Sequence, residues 1–268
     1  MGRLDGRAAI ITGAAAGLGA GYAAALAEAG CDLLVCDRGE AIGPAAEALR
    51  GRGTRVVSLV ADVGVAADVR RIVVATAEAF GRIDILVNNA GVCRRTWPTD
   101  GLDASLDNYG ALIGTNLRGP FLLGRAVIPH MIAAGGGDII NIATDHVNTF
   151  PGRPTNGFGM MDLYDTSKWG LIGLTLTWAK ALRPHGIRVN AFCMDATDSP
   201  MLRFFAGPDV TEEAMARWMD PRAVCGLAVE LIAEGPGGRT GENFGVWCGF
   251  EVALTHTPRP LASVTGRR

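Results

Sequence analysis

Apolar runs of strand length recur along this chain at 8–12, 32–37, 56–61, 83–88, 138–143, 187–193 and 244–248, and most lack any alternation of apolar and polar residues. That pattern constrains the fold more than any other feature. A strand that alternates has one wet face, whereas a continuous apolar run suits a strand covered on both. Helical stretches at 18–29, 41–50, 66–80, 106–134, 164–182 and 223–233 separate the runs. Strand then helix, repeated along the whole chain, predicts an α/β fold with a mostly parallel, doubly wound sheet of about seven strands and helices on both faces. With 268 residues, 49% of them hydrophobic, the chain can bury such a core. No composition shift, low-complexity tract or repeat divides it, so a single domain over residues 1–268 is expected. Two irregular regions, 145–163 and 199–221, interrupt the pattern. They emerge at the carboxyl ends of strands, where such sheets bind ligands, and are expected over the active site.

Charge and cysteine usage exclude several function classes. The chain has 25 basic against 27 acidic residues, a net charge of -2, so no field favours nucleic acid. Every hydrophobic run breaks well short of the ~20 residues a membrane span needs. The six cysteines are dispersed without a C-x-x-C pair and the four histidines do not cluster, so no metal site is expected. The N-terminal MGRLDGRAAII runs straight into a strand, without the apolar segment and cleavage site of a secretory signal. A reducing, cytoplasmic compartment and a small-molecule partner are the expectation.

After the first run comes Thr12-Gly13-Ala14-Ala15-Ala16-Gly17-Leu18-Gly19, which opens directly into an Ala-rich helix. Glycines at 13, 17 and 19 let the backbone turn tightly and approach a pyrophosphate, whose charge is favoured by the unpaired N–H groups at the helix start. Gly13, Ala16, Gly17, Leu18 and Gly19 are therefore candidate cofactor contacts. Such glycines would also serve a turn that only packs helix on strand; their place between a strand and a helix decides for the phosphate. Asp37 ends the second run, 18 residues beyond Gly19. A carboxylate there can accept hydrogen bonds from the adenosine ribose and would repel a 2'-phosphate, which favours NAD over NADP. Arg38 follows and offsets part of that repulsion, and Asp37 could equally be a turn residue at a strand end.

Further segments extend the pattern: Asp62-Val63 after the third run, Asn88-Asn89-Ala90-Gly91 after the fourth, Asn116 inside a helix, and Tyr164-Asp165-Thr166-Ser167-Lys168. In this order and spacing, the chain resembles the short-chain dehydrogenase/reductase family across nearly its whole length. The resemblance implies a Rossmann-type fold in which Asp62 and Val63 flank the adenine, Asn89, Ala90 and Gly91 pack beside the cofactor, and Asn116 holds a water in a proton relay. It also implies a homo-oligomer, dimer or tetramer, built through the helices around Asn116 and Tyr164. Tyr164 and Lys168 stand four apart at a helix start, hence on one face. An ammonium close to a phenol, whose pKa is ordinarily ~10, favours the phenolate and suits that oxygen to exchange a proton with an alcohol/carbonyl pair. Lys168 can also hold the nicotinamide ribose.

Three features depart from the family pattern. Where the family has serine at the end of the fifth strand, Asn141-Ile142-Ala143-Thr144 places a threonine. Thr144 keeps a hydroxyl but adds a β-branch, so it orients a substrate only if its preferred rotamer points inward; it could instead cap its own backbone. The 20 residues from Thr144 to Tyr164 exceed the family spacing and carry His146, read as a loop or wall residue. Thr149 and Thr155 in that stretch are alternative sources of the hydroxyl. Met194-Asp195 stands where the family usually has Pro-Gly, which puts a side chain and a negative charge near the expected nicotinamide. Ser199 matches a position where a hydroxyl often contacts the cofactor.

Together these residues read as an oxidoreductase moving hydride between NAD(H) and an alcohol/ketone carbon, with Tyr164 as acid/base, Lys168 tuning it, Thr144 orienting the oxygen and Asn116 relaying protons. A redox-inactive dinucleotide sensor or scaffold, and an NAD-dependent epimerase or dehydratase, are the alternatives. Trp97, Phe150, Phe158, Met160, Met161, Met201, Leu202, Phe204, Phe205, Trp218 and Met219 are expected either to roof a hydrophobic substrate pocket or to pack the loops, with Arg94 and Arg95 at the rim open to an anionic group.

Overall fold

The computed structural model describes residues 2–50, 53–148 and 159–255. Seven strands, β1 (Ala8–Thr12), β2 (Asp32–Asp37), β3 (Val56–Val60), β4 (Ile85–Asn88), β5 (Gly137–Thr144), β6 (Ile187–Met194) and β7 (Asn243–Val246), pair in parallel in the order β3-β2-β1-β4-β5-β6-β7. Chain direction reverses its march across the sheet between β1 and β4. The loops leaving these two strands therefore diverge and open a crevice, the switch point at which such sheets take ligands.

Both faces of the sheet are buried, and successive strand residues serve opposite layers. Ala9, Ile11, Leu33, Val35, Ile140 and Phe192 pack with the apolar sides of α1 (Gly17–Glu28), α2 (Ile42–Arg50) and α9 (Pro221–Ile232). Ile10, Leu34, Cys36, Leu86, Ile139 and Val189 pack with α3 (Ala66–Phe80), α5 (Gly119–Ala133) and α6 (Asp162–Leu182). Period-two side-chain alternation between two apolar layers accounts for the unbroken apolar runs. Where α5 meets α6, Gly124 is required by the close approach, since a Cβ there would run into the Trp178 ring.

Three expected elements differ from those observed. The helix expected over 106–134 is α4 (Leu102–Ile113), a single wide turn over Gly114–Arg118, and then α5. In that turn the Gly119 N–H donates to the Gly114 carbonyl, five residues back. Pro120, in the first turn of α5, has no N–H to offer the carbonyls of this turn. The region 199–221 is not irregular: Pro200–Ala206 forms α7 and Glu212–Met215 forms α8, each started by a hydroxyl cap, Ser199 and Thr211. Region 145–163 begins with a short 3₁₀ turn, Asp145–Val147, and ends inside α6, which starts at Asp162 rather than Tyr164. Thr149, Phe150, Thr155 and Phe158 lie outside the described residues, as does the tail beyond Thr255.

Candidate active site

The loops after β1 and β4 are stitched to one another. The Thr12 hydroxyl accepts from the backbone N–H groups of Asn89 and Ala90 at 3.0 and 2.9 Å, and the Asn89 amide donates to the Thr12 and Gly13 carbonyls at 2.9 and 3.2 Å. Gly13 takes a positive φ of 65° against Ala90, and a Cβ on Gly19 would run into the Gly13 carbonyl. Ala16, extended at the N-cap of α1, offers no side-chain acceptor to the first-turn N–H groups. The start of this 12-residue helix, at Gly17 and Leu18, thus keeps N–H donors that no side-chain cap consumes, the kind of helix start that can take an anion. Gly19→Ala is expected to weaken dinucleotide binding by about tenfold or more, because the added methyl displaces the loop. Calorimetric titration with NAD(H) reads it directly.

A cleft beside this loop is lined by Gly13, Asp37, Arg38, Asp62, Val63, Ala90 and Gly91, together with Cys36, Ala61, Val92 and Thr115. The sequence-assigned adenosine residues thus share one wall. Asp37 Oδ2 also accepts from the Ala15 N–H and Oδ1 from the Gly39 N–H, each at 3.3 Å, which fixes the carboxylate at the edge of the phosphate loop. Asp62 Oδ1 accepts from Gly64 N–H at 2.7 Å, shaping the turn after β3. The residues present fit a dinucleotide at its phosphate and adenosine ends.

At the other end of the crevice, β5 delivers Thr144 and α6 delivers Tyr164 and Lys168. Thr144, paired with Met194 at the end of the β5/β6 ladder, is buried with its hydroxyl 3.3 Å from Asp145 Oδ1 and near the Tyr164 phenol, whose ionised form it favours. Burial pushes the phenol up, with Cys93, Asp165 and Asp145 adding to the effect and the Thr144 hydroxyl opposing it. The Lys168 ammonium sits 5.6 Å from the Tyr164 ring centroid and donates to the Ile142 carbonyl at 2.7 Å. Burial pulls Lys168 down to about 8, against the nearby thiols of Cys193 and Cys93. Left to the chain's own charges, then, the phenol keeps its proton.

Asn116 is fully buried in the wide turn. Its Oδ1 accepts from Val92 N–H at 2.8 Å and its Nδ2 donates to the Val92 carbonyl at 2.9 Å and to Ser167 Oγ at 3.1 Å. The side chain therefore holds the strand-end loop and α6 together.

Over residues 7–206 the chain matches the family model described as short chain dehydrogenase. The chain belongs to the short-chain dehydrogenase/reductase family. It is an oxidoreductase of that family, whose members bind a nicotinamide dinucleotide. Among its short-chain dehydrogenase relatives is Oxidoreductase UcpA of Salmonella typhimurium, 37% identical over 87% of this chain and 90% of that protein. A 3-oxoacyl-[acyl-carrier-protein] reductase FabG of Thermotoga maritima is 31% identical over 93% of this chain and all of its own. A carveol dehydrogenase from Mycobacterium avium, solved in complex with NAD, superposes with a TM-score of 0.80 at 26% identity over 92% of this chain and 98% of its own.

Several side chains have partners that the family resemblance does not imply. Asp195 does not face the crevice as a bare charge: Oδ1 accepts from Ala196 N–H at 2.7 Å and Oδ2 from Cys248 N–H at 3.2 Å, which shapes the turn where the glycine is missing. Ser199 Oγ accepts from Leu202 N–H at 3.2 Å as the cap of α7, while its Cβ and Pro200 pack against Gly17. Arg95 donates to the Phe205 carbonyl at 3.1 Å and lies over its ring, and Arg94 donates to Asn108, so neither is reserved for an anion. Met161 and Met219 are core residues; Trp97 instead lines a cleft of about 230 Å³ with Leu106, Tyr109 and Leu163. The sequence reading passes over Thr12, Ser167 and Asp165. Each sits next to a motif residue, and only the fold reveals its partner.

Proposed function

We propose that the protein is an NAD-dependent alcohol dehydrogenase or ketone reductase acting on a hydrophobic secondary alcohol or ketone, as one catalytic unit. The observation that carries this reading is the convergence of the Thr144 hydroxyl, the Tyr164 phenol and the buried Lys168 ammonium at the crevice opened by the β1 and β4 loops. Gly13, Ala16, Gly17, Leu18 and Gly19 bind the pyrophosphate, Asp37 and Arg38 the adenosine ribose, Asp62 and Val63 the adenine, and Asn89, Ala90, Gly91, Lys168 and Ser199 the remainder. When bound, the nicotinamide supplies or accepts the hydride. Thr144 orients the substrate oxygen, Tyr164 gives or takes its proton, Lys168 biases the phenol toward giving up its own, and Asn116 holds the relay through its turn. The carveol dehydrogenase relative, an alcohol-named enzyme holding NAD, supports both the cofactor and the reaction class.

Exposed Met201 and Phe204 on α7, beside Trp97, support an apolar substrate. Turnover with NAD over secondary alcohols of rising ring or chain size is expected to raise kcat/KM, each buried CH₂ adding about 0.8 kcal/mol. A flat or falling series returns these side chains to packing or to contact between subunits. Exposed Leu102, Leu106 and Tyr109 on α4 and Trp169 and Leu176 on α6 support the homo-oligomer. The cofactor preference has its own check. NAD is expected to bind tighter than NADP, and Asp37→Ala to narrow the gap by removing the charge that repels a 2'-phosphate. Paired titrations read both; tighter NADP binding by the unaltered chain would mean that Arg38 outweighs Asp37.

A further inference from the structure

A group of titratable side chains outside the proposed reacting set, His146, Asp145 and Asp165, lies at one corner of the same site. His146, in the 3₁₀ turn that leaves Thr144, places Nδ1 2.6 Å from Asp165 Oδ1. Its ring stands edge-on to the Tyr164 ring with centroids 6.1 Å apart. Asp165 directly follows Tyr164 in the first turn of α6. The two segments that deliver the reacting hydroxyls are thus tied by a side-chain bond placed two residues past one hydroxyl and one past the other.

The turn itself is anchored on its far side. Val147 packs with Ala143, Ile172, Ala191 and Cys193, and Asn148 Nδ2 donates to the Asn243 carbonyl of β7 at 2.6 Å. With the strand end fixed in this way, the His146–Asp165 bond holds the start of α6, and with it the phenol, against Thr144. A rigid tie matters here because a misplacement of ~1 Å between reacting groups can cost about a hundredfold in rate.

The charges around the ring favour the tie. Burial acts to strip the imidazole of its proton, but Asp165 on α6, Asp145 on the same turn and Asp195 after β6 together raise His146 above its ordinary value. Tyr164 and Lys168 on α6 and Cys93 after β4 complete the titratable set around the phenol. Charged or neutral with its proton on Nδ1, the ring can donate to Asp165.

We propose that His146, acting through Asp165, is a positioning residue that holds the Tyr164 phenol against the Thr144 hydroxyl for proton transfer. The inference rests on Tyr164 being the proton carrier. His146→Ala and Asp165→Ala are each expected to lower kcat by about 10- to 100-fold, with the KM for NAD and cofactor binding within about twofold. His146→Asn, which keeps an amide donor near the Nδ1 position, and Asp165→Asn, which keeps an acceptor, are expected to recover to within about fivefold of the unaltered enzyme. The double alanine variant is expected to be no worse than the worse single one, because both remove the same bond. Melting curves and cofactor titration establish that each variant is folded, and breaking the bond from either end allows one to be read if the other fails to fold. A kcat within about twofold in the alanine variants, a parallel loss of NAD binding, or asparagine variants as poor as alanine would overturn the proposal. Tyr164→Phe, run alongside, separates the layers: if it keeps turnover the proton-carrier reading falls, and if it loses turnover while His146→Ala does not, only the clamp falls.

Discussion

Tyr164→Phe is expected to lower turnover by about 10³-fold while leaving the fold and dinucleotide binding intact. The substitution removes one oxygen and almost no volume, so packing is preserved while the proton carrier is lost, an effect of roughly 10²–10⁴ for a positioned acid or base. The phenol is pushed up by burial and by Cys93, Asp165 and Asp145, with the Thr144 hydroxyl opposing them, and the Lys168 ammonium lies 5.6 Å from its ring centroid. No other phenol is placed to replace it: Tyr22 is buried among α1 and α9 residues, and Tyr109 is exposed on α4. Thr144 provides a companion comparison. Thr144→Ser keeps the hydroxyl and is expected to stay active, whereas Thr144→Val keeps the shape, loses the hydrogen bond and is expected to be impaired. Steady-state turnover with a secondary alcohol, alongside NAD titration, measures all three; residual turnover in Tyr164→Phe within about tenfold of the unaltered enzyme would take the proton from another group.

What the sequence makes legible depends on whether the signal is local. The parallel sheet is legible because each strand is sandwiched between two apolar layers, and unbroken runs such as Ala8–Thr12 and Asp32–Asp37 record that directly. The phosphate loop is legible because Gly13 and Gly19 answer steric demands that no other residue meets. The wide turn at Gly114–Arg118 is not, since its residues read as uninterrupted helix and the extra residue per turn leaves no periodicity over so short a span. Pro120 is its one local mark. Nor does sequence show that a candidate site hydroxyl also caps a helix: Ser199 Oγ accepts from Leu202 N–H, a bond set by backbone geometry a few residues away. Asp195 is the same case with a charge, since its partner Cys248 lies 53 residues further along the chain. His146 and Asp165 are 19 residues apart and meet only because β5 ends and α6 begins at the same corner.

At the opposite, N-terminal ends of β5 and β6, Arg188→Met is expected to be the most destabilising of the substitutions considered, by about 3–5 kcal/mol, the range for removing one partner of a buried ion pair. Arg188 is 3% exposed, yet its guanidinium lies 2.6 Å from Asp138 Oδ1 and donates to the Leu231 and Ile232 carbonyls at 3.0 and 2.9 Å. It therefore joins β5, β6 and the C-terminal end of α9, where a cation also meets the favourable end of the helix dipole. Methionine fills much of the space but takes one donor each from the Leu231 and Ile232 carbonyls, which keep the Glu234 and Gly235 N–H groups, and leaves Asp138 facing Arg7, 3.0 Å away. The pH dependence distinguishes this cause from lost packing. Asp138 is already raised above its ordinary value because burial outweighs the help of Arg188 and Arg7. A carboxyl raised in the folded state binds its proton more readily there than in the unfolded chain, so its stabilising share is present at low pH and falls away as pH rises through the folded value. Removing Arg188 raises Asp138 further, so the deficit of the variant is expected to be larger at pH ~8 than near pH ~5, where protonation relieves the stranded charge. Urea unfolding of both proteins at the two pH values gives the comparison, and a deficit independent of pH would assign the loss to the severed α9 carbonyls and packing. Pairing Arg188→Met with Asp138→Leu should then recover part of the stability, because a buried pair replaced whole by apolar side chains leaves no charge behind.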